Sequence, residues 1–353
     1  MLSQEVERAI REMGFKDLTP VQRETIPLML SGNNVLVQAK TGSGKTAAFG
    51  IPIVELGRRA LVLSPTRELV RQIADHIRAI GKYKGVKVAE IYGGMPYDPQ
   101  IEELEGANVV VATPGRLIDL WKRGEVDLSS FEVVVVDEAD LMLDMGFIED
   151  VSLILSNAEN RKITGMFSAT VPKEVEKLAE KFMPEYELVR VSHGLAEVKH
   201  RFVYVRGWQD KVQALRREIE HSDGSVVVFV KTREGVKRLA RQMKGAVELR
   251  GDLPQKVRNR NIDLFRKGRV RVLITTDVAS RGIDVPSVNK VINFDAPESL
   301  KTYVHRAGRT GRMGRPGEVV TLLTEKERGL EEEVKRLIQS VSSGVIEEVS
   351  AFD

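Results

Sequence analysis

The chain has 353 residues, which exceeds the ~250 residues that a single hydrophobic core usually reaches and fits two domains. Its composition of 42% hydrophobic and 30% charged residues excludes disordered and fibrous classes, and the lack of cysteine excludes disulfides, Cys-ligated zinc and thiol catalysis. The net charge of +3 divides into −7 for residues 1–198 (23 Lys+Arg against 30 Asp+Glu) and +10 for residues 199–353 (31 against 21). A basic half fits a polyanionic partner, but it also fits a domain whose exposed helices simply carry more arginine.

The chain begins with a charged amphipathic pattern, MLSQEVERAIREMGF, rather than with the apolar core of a signal peptide. No apolar run approaches the ~18 residues of a membrane span. We therefore expect a cytoplasmic protein without membrane contact.

The first half alternates short apolar, β-branched runs with segments whose apolar residues recur every three or four positions. Runs such as VVVV at 133–136 are typical of strands buried on both faces, as in a parallel sheet covered by helices. The strand candidates are 35–39, 60–64, 86–91, 109–113, 133–137, 163–168 and 188–191. Helix candidates include 67–80, 115–122 and 173–182.

The second half repeats this alternation, so we predict two similar α/β domains. Its strand candidates are 202–206, 226–230, 247–249, 272–275, 290–293 and 318–323, and its helix candidates are 210–220, 233–243, 255–265 and 325–339. Residues 192–198 have no clear period and contain a glycine, which is typical of a linker. The predicted domains are therefore 1–191 and 199–353, joined by the linker 192–198.

The strongest local motif is AKTGSGKT at residues 39–46, which follows an apolar strand candidate and opens a helix. Its glycines let backbone N–H groups surround a phosphate, and the helix N-terminus adds positive potential. Lys45 can reach the β and γ phosphates, and Thr46 can ligate Mg²⁺. The predicted nucleotide-binding residues are Thr41, Gly42, Ser43, Gly44, Lys45 and Thr46.

A second motif, VVVVDEAD at residues 133–140, places carboxylates at the end of a buried strand candidate. Asp137 can hold Mg²⁺, and Glu138 can orient or deprotonate an attacking water molecule. Acidic residues at a strand end can also be helix caps, but beside a P-loop they favour ATP hydrolysis.

Residues 137–140 spell the DEAD tetrapeptide, and the chain resembles the DEAD-box ATP-dependent RNA helicases of helicase superfamily 2 over nearly its whole length. The resemblance implies two RecA-like parallel-sheet P-loop domains in tandem, with ATP and Mg²⁺ as cofactors and RNA as partner. Phe15, Thr19, Pro20 and Gln22 are similar to the family's Q motif, so Phe15 and Gln22 would contact the adenine and select ATP. Glu5 stands upstream where the family usually has an aromatic residue.

Three further segments of the first half resemble the family motifs PTRELA, GG and TPGR: PTRELV at 65–70, GG at 93–94 and TPGR at 113–116. In the family these segments contact the RNA backbone, which agrees with loop N–H groups ahead of helices as phosphate sites. The implied RNA contacts here are Arg67, Gly94, Thr113, Gly115 and Arg116. Ser168 and Thr170 belong to SAT at 168–170, which resembles the motif that couples the ATP site to unwinding.

The second half matches the family in order. Phe229 with Thr232 resembles motif IV, Gln255 with Arg258 the QxxR motif, TTDVASRGID at 275–284 motif V, and HRAGRTGR at 305–312 motif VI. The implied RNA contacts are Thr232, Gly251, Gln255, Arg258 and Thr276; Asp284 would contact the ribose, and Arg309 and Arg312 would be arginine fingers at the γ phosphate. The chain departs from the family pattern at Arg250, Ser280 and Ala307, which replace His, Ala and Ile.

These motifs predict an RNA-dependent ATPase that unwinds short RNA duplexes, or remodels RNA, when ATP closes its two domains. RNA would be bound as single strand and short duplex, through its backbone and without sequence preference. Two alternatives stay open at this point. The protein could be an ATP-gated RNA clamp or annealing protein without productive unwinding, or a superfamily 2 DNA translocase.

Overall fold

The computed structural model describes residues 2–40, 42–191, 198–280, 288–311, 317–341 and 346–350. They form two compact units. The first comprises residues 2–39 and 43–191, and the second the described residues from 198 onward. No helix in these ranges combines the length and the hydropathy of a membrane span.

The first unit is a parallel sheet covered by helices. Its strands are β1 (Val35–Ala39), β2 (Ala60–Leu63), β3 (Val88–Ile91), β4 (Val109–Ala112), β5 (Val133–Asp137), β6 (Ile163–Ser168) and β7 (Glu187–Val191). Its helices are α1 (Gln4–Glu12), α2 (Pro20–Leu30), α3 (Lys45–Leu56), α4 (Arg67–Ile80), α5 (Tyr97–Leu104), α6 (Pro114–Lys122), α7 (Ala139–Asp144), α8 (Ile148–Asn157) and α9 (Lys173–Phe182). The strand order is β3-β4-β2-β5-β6-β1-β7, and every pairing is parallel.

The valine run of β5 shows why this sequence forms a central strand. Val133 and Val135 pack into one hydrophobic core, and Val134 and Val136 pack into a second core on the opposite face. Side chains alternate between faces along a strand, so a strand with helices on both sides needs apolar residues at every position. Burial of each valine contributes about 1.5–3 kcal/mol.

The second unit repeats the architecture. Its strands are β8 (Val198–Tyr204), β9 (Val226–Phe229), β10 (Ala246–Leu249), β11 (Val272–Thr275), β12 (Lys290–Asn293), β13 (Gly317–Leu323) and β14 (Ile346–Ser350). Its helices are α10 (Trp208–Glu220), α11 (Arg233–Gln242), α12 (Gln255–Arg266), α13 (Asp277–Ser280), α14 (Leu300–Ala307) and α15 (Arg328–Val341). The strand order is β10-β11-β9-β12-β13-β8-β14, again with parallel pairings.

The predicted fold class of two parallel α/β units is confirmed, and each predicted strand overlaps an observed one. The largest shift is at β8, which begins at Val198 rather than at Phe202, so the last residue of the predicted linker is already in a strand. The rest of that linker, 192–197, lies outside the described residues. β14 was not predicted; it pairs with β8 alone, at the edge of the sheet.

Candidate active site and nucleic-acid contacts

The predicted ATP-site residues of the first unit gather at one edge of its sheet. β6 lies between β1 and β5, with Gln38 opposite Ser168 and Asp137 opposite Phe167. Because the strands are parallel, their carboxyl ends share one edge, and the segments that follow them meet there. This edge of an α/β sheet is the usual place for a ligand.

The P-loop turns sharply into α3. Gly44 has φ +99° and precedes the first helical residue, Lys45. Lys45 is buried, donates a hydrogen bond from Nζ to the carbonyl of Ala39 at 2.9 Å, and lies 3.2 Å from Oε1 of Glu138. The lysine therefore bridges the loop and the DEAD segment.

The two neighbouring carboxylates of the DEAD segment have different environments. Asp137 is buried, and its Oδ1 accepts no hydrogen bond from any described residue. Burial, and then the negative charge of Glu138, raises the pKa of Asp137 to about 7, although Lys45 acts in the opposite direction. Glu138 has φ +52°, the one positive value among the described non-glycine residues.

These residues fit a Mg²⁺ ion. A buried carboxylate oxygen without a hydrogen-bond donor is the kind of ligand that a hard cation prefers, and Asp137 provides it. Ser43 Oγ, in the same loop, is also buried without a hydrogen-bond partner among the described residues. Asp137 and Thr46 would hold the ion, as expected from the sequence. Thr41, another predicted nucleotide contact, lies outside the described residues.

Gln22 joins the Q motif to the P-loop. Its Oε1 accepts a hydrogen bond from the backbone N–H of Thr19 at 3.0 Å, which completes a capping box at the start of α2. Its Nε2 donates to the carbonyl of Gly44 at 3.1 Å. A Cβ at Gly44 would lie 2.4 Å from that Nε2 and would displace the Gln22 amide, and the φ of +99° is one that glycine adopts without strain. Phe15 packs at the margin of the core with its ring centroid 6.4 Å from that of His76.

Asp140 connects the DEAD segment to the SAT segment. Its backbone N–H donates to Ser168 Oγ at 3.1 Å. Its Oδ2 accepts hydrogen bonds from the backbone N–H and the hydroxyl of Thr170 at 2.9 and 2.7 Å. Asp140 was not among the predicted site residues, although its place in the tetrapeptide was a signal that could have identified it.

The predicted RNA contacts of the first unit lie along the same sheet edge, at the ends of β2, β3 and β4. The guanidinium of Arg67 is so close to Gly94 that a Cβ there would lie 2.4 Å from Nη1. Thr113 donates its backbone N–H to Ile91 at 2.8 Å and precedes α6, whose first turn contains Gly115. Arg116 donates to the carbonyl of Met95 at 3.0 Å. The contacts follow three adjacent strands, so together they form a track.

The predicted RNA contacts of the second unit also follow three adjacent strands. Thr232 follows β9 and caps α11 by accepting a hydrogen bond from the N–H of Gly235 at 3.0 Å. Gly251 follows β10 and is exposed, whereas Thr276 follows β11 and is buried. Arg258 donates to Oε1 of Gln255 at 3.0 Å. These residues form the corresponding track of the second unit.

Arg250 replaces the family's histidine beside this track. It is buried and donates to Glu248 and Asp252 at 3.1 and 2.6 Å. The arginine therefore fixes the turn that presents Gly251.

Motif VI is anchored to motif V through a buried arginine. Arg306 donates from Nε and Nη2 to the two carboxylate oxygens of Asp277, both at 2.7 Å, and from Nη1 to Asn293 at 3.0 Å. Its guanidinium lies 5.1 Å from the ring centroid of Phe229. This bidentate pair was not predicted from the sequence. It holds the segment that carries Arg309, which is itself mostly buried. Asp284 and Arg312 lie outside the described residues.

Comparisons with known proteins agree with this geometry. A family model for DEAD/DEAH box helicases matches residues 19–178, and one for the helicase conserved C-terminal domain matches residues 210–314. The chain is 41% identical to the DEAD-box ATP-dependent RNA helicase CshA of Geobacillus kaustophilus over 366 residues, covering 98% of this chain and 78% of that protein.

Two solved structures are also similar. A hypothetical ATP-dependent RNA helicase from Sulfolobus tokodaii is 60% identical, with a TM-score of 0.55, covering 94% of this chain and 100% of that one. The S. cerevisiae Dbp5 structure bound to RNA and ADP BeF3 is 28% identical, with a TM-score of 0.86, covering 100% of this chain and 95% of that one.

Proposed function

The chain belongs to the DEAD-box family of ATP-dependent RNA helicases, and from that premise we propose that it separates short RNA duplexes locally by ATP-driven closure of its two units. The family establishes ATP hydrolysis and RNA binding. The proposal adds the way in which the two are used, the residues that carry them and the limited length of duplex that is opened.

The observation that carries the proposal is the sharing of one sheet edge in the first unit. β1, β6 and β5 end at the predicted ATP residues, and the adjoining β2, β4 and β3 end at the predicted RNA contacts. The hydrogen bonds from Thr170 to Asp140 lie on the ATP half of that edge. A change at the nucleotide therefore has a short path to the RNA track.

We assign the chemical roles as follows. Glu138 accepts a proton from the attacking water, while Lys45 neutralises charge on the β and γ phosphates. Asp137 and Thr46 would hold Mg²⁺, which supplies further neutralisation of phosphate charge. Arg309 and Arg312 would complete the site from the second unit, since arginine fingers contribute ~10³ to 10⁵ in rate.

The nucleotide is recognised by Phe15 and Gln22 at the adenine, by the P-loop residues 41–46 at the phosphates, and by Asp284 at the ribose. The side chain of Gln22 already bonds Thr19 and Gly44, which leaves it one N–H and one lone pair for the adenine edge. The same bonds would orient it for that contact.

RNA is held through its backbone and without sequence preference. Both tracks combine small residues, hydroxyls and first-turn N–H groups of helices with the side chains of Arg67, Arg116, Gln255 and Arg258, and all of these groups can bind phosphate. A single closure bends one strand of the RNA over a few nucleotides and expels its complement.

We further propose that the domains are residues 1–191 and 199–353 and that the protein is cytoplasmic.

The test is the amplitude of unwinding as a function of duplex length, measured in a single turnover with a trap for released enzyme. Each added base-pair step costs ~1–2 kcal/mol on the DNA stacking scale. Amplitude should therefore fall steeply as the duplex lengthens towards one helical turn. An amplitude that stays constant over several turns would show processive stepping and contradict the proposal. Hydrolysis without strand separation at any length would instead indicate a clamp.

A further inference from the structure

The positive charge of the second half is concentrated in one segment. Residues 231–271 carry 14 Lys+Arg against 4 Asp+Glu, a net charge of +10. The remaining residues of 199–353 carry 17 of each sign, so this segment accounts for the entire excess. The segment comprises α11, β10 and α12, and it ends at the residue before β11.

This segment surrounds one edge of the second sheet. β10 is the outermost strand, and both helices pack against it. Val236 and Leu239 of α11 join one hydrophobic core, whereas Ile262 and Phe265 of α12 join the other. The two helices therefore cover opposite faces and flank β10 on both sides.

Each helix carries a basic stripe at helical spacing. On α11 the stripe is Arg233, Lys237 and Arg241, at positions i, i+4 and i+8; on α12 and its C-cap it is Lys256, Arg260 and Lys267, at i, i+4 and i+11. These spacings keep each trio on one side of its helix. Five of the six side chains are exposed and Lys237 is half-buried, and none of the six forms an ion pair with a described residue. We call these six residues the basic edge.

The basic edge begins at the predicted RNA track. Arg233 follows Thr232, and Lys256 follows Gln255. From these points the helices run away from the carboxyl edge of the sheet for 10 and 12 residues, or ~15 and ~18 Å at 1.5 Å per residue. Positive charge therefore continues from the track around the side of the unit.

We propose that the basic edge binds the phosphate backbone of an RNA duplex that flanks the strand held in the tracks. A duplex presents about one charge per 1.7 Å of its axis, and A-form RNA is recognised mainly through shape and backbone contacts. Surfaces that bind single strands without sequence preference combine a basic groove with exposed aromatic rings on which the bases stack. The one aromatic residue in 231–271 is Phe265, which is buried.

Protection of the edge strand does not require this much charge. One or a few charges prevent edge-to-edge pairing of a strand of four residues, and Glu248 of β10 with its partner Arg250 already supplies them. The two stripes lie on helices rather than on β10, so protection of the edge strand does not explain them.

The proposal rests on RNA being the substrate, so the experiment measures that function separately. The full chain is compared with two variants, Lys237→Gln/Arg241→Gln and Arg260→Gln/Lys267→Gln. The matched control is Lys173→Gln/Lys177→Gln, two exposed lysines at i and i+4 on α9 of the first unit. Affinity is measured for a single strand and for the same strand with an adjoining duplex, between 50 and 200 mM salt. ATPase stimulation by the single strand reports the proposed function itself.

In the wild-type protein and the control, the adjoining duplex should tighten binding, and each variant should lose that increment while single-strand stimulation stays unchanged. Loss of two phosphate contacts lowers by ~2 the slope of log affinity against log salt concentration. The ratio of wild-type to variant affinity should therefore shrink by about tenfold between 50 and 200 mM salt. Unchanged salt slopes in both variants, or no gain from the duplex in the wild type, would overturn the proposal. If the variants lost binding of polyglutamate but kept binding of duplex RNA, the basic edge would be assigned to an acidic protein. That result would overturn the proposal as well. Absence of single-strand stimulation in the wild-type protein would count against the proposed function instead.

Discussion

Thr170 donates two hydrogen bonds to one carboxylate oxygen of Asp140, from its backbone N–H at 2.9 Å and from its hydroxyl at 2.7 Å. Asp140 is fully buried, so the bonds are shielded from water. The SAT segment is thereby fixed to the DEAD segment by a side chain that touches neither phosphate nor RNA in the proposed mechanism.

We therefore predict that Thr170→Val separates hydrolysis from unwinding. The valine keeps the shape but removes a hydrogen bond to a charged group, worth about 1.5–3 kcal/mol. RNA-stimulated ATPase should stay within about threefold of wild type, whereas strands separated per ATP should fall about tenfold or more. Thr170→Ser keeps the hydroxyl and should behave like the wild type. Equal losses of ATPase and unwinding would contradict a coupling role.

The ion pair between Lys45 and Glu138 gives a second prediction. Glu138→Gln should bind ATP at least as well as wild type, because Lys45 is released for the phosphates, yet turnover should fall by ~10² to 10⁴ since the amide cannot accept a proton. Lys45→Ala should weaken nucleotide binding itself. Nucleotide titration and single-turnover hydrolysis separate these effects. Glu132→Gln, whose partner is the exposed Lys162, serves as a control with normal turnover. Hydrolysis by Glu138→Gln near the wild-type rate would show that another group accepts the proton.

Much of the fold was predictable because the buried part of a central parallel strand needs continuous apolar residues, as β9 and the first four residues of β5 have. β14 was missed since IEEVS lacks such a run and pairs on one side only. Within the site, motifs predicted which segments meet but not the bonds inside them. The capping pattern Thr19-x-x-Gln22 was readable from the sequence, whereas the bidentate bond of Arg306 to Asp277 depends on two distant segments and was not.

Separation of the units gives a third prediction. Fragments 1–191 and 198–353 should each fold, because each contains its own sheet and cores. Neither should hydrolyse ATP in response to RNA, since Lys45 and Glu138 are in one fragment and Arg309 is in the other. Circular dichroism checks folding and a coupled assay checks hydrolysis. Full RNA-stimulated activity in fragment 1–191 would refute the two-unit mechanism.

A fourth prediction concerns Tyr97, whose ring lies under two guanidinium groups, one from α6 and one from its C-cap residue. The centroid is 4.2 Å from Arg116 and 3.9 Å from Arg123, and the Tyr97 hydroxyl donates to Asp119 at 2.6 Å. Each cation–π contact is worth about 0.5–1 kcal/mol at an exposed site. Tyr97→Ala should therefore raise the RNA concentration for half-maximal ATPase about fivefold without changing the maximal rate. Tyr97→Phe keeps the ring and should restore most of the affinity; if it behaves like alanine, stacking is not what positions Arg116.

A fifth prediction is a pH dependence of stability in the second unit. Burial alone would raise the pKa of Glu318, but Lys290 at 2.8 Å, together with Arg201 at 3.1 Å, holds the pKa below its usual value of 4.5. A lowered pKa contributes stability that is present above pH 4.5 and is lost as pH falls through the lowered value. Glu318→Gln should cost about 2 kcal/mol of unfolding free energy at pH 7, and the difference should vanish in acid.

Urea unfolding of the full chain can follow this effect through Trp208 in a Trp121→Phe background, since the protein has 2 tryptophans and Trp208 belongs to the second unit. Glu332→Gln removes an exposed partner of Arg336 and should leave stability unchanged at every pH. A Glu318→Gln deficit that persisted unchanged at pH 3 would mean that packing, rather than charge, is lost.

The left-handed backbone of Glu138 places conformational strain at the position of the proposed general base. A non-glycine residue at φ +52° costs about 1–2 kcal/mol relative to glycine, which adopts that region without strain. Replacement by glycine would relieve that strain, but it would leave the buried Lys45 without its ion-pair partner, which costs about 3–5 kcal/mol. Thermostability engineering at position 138 would therefore have to replace Glu138 and Lys45 together, which would remove two residues of the proposed ATP site.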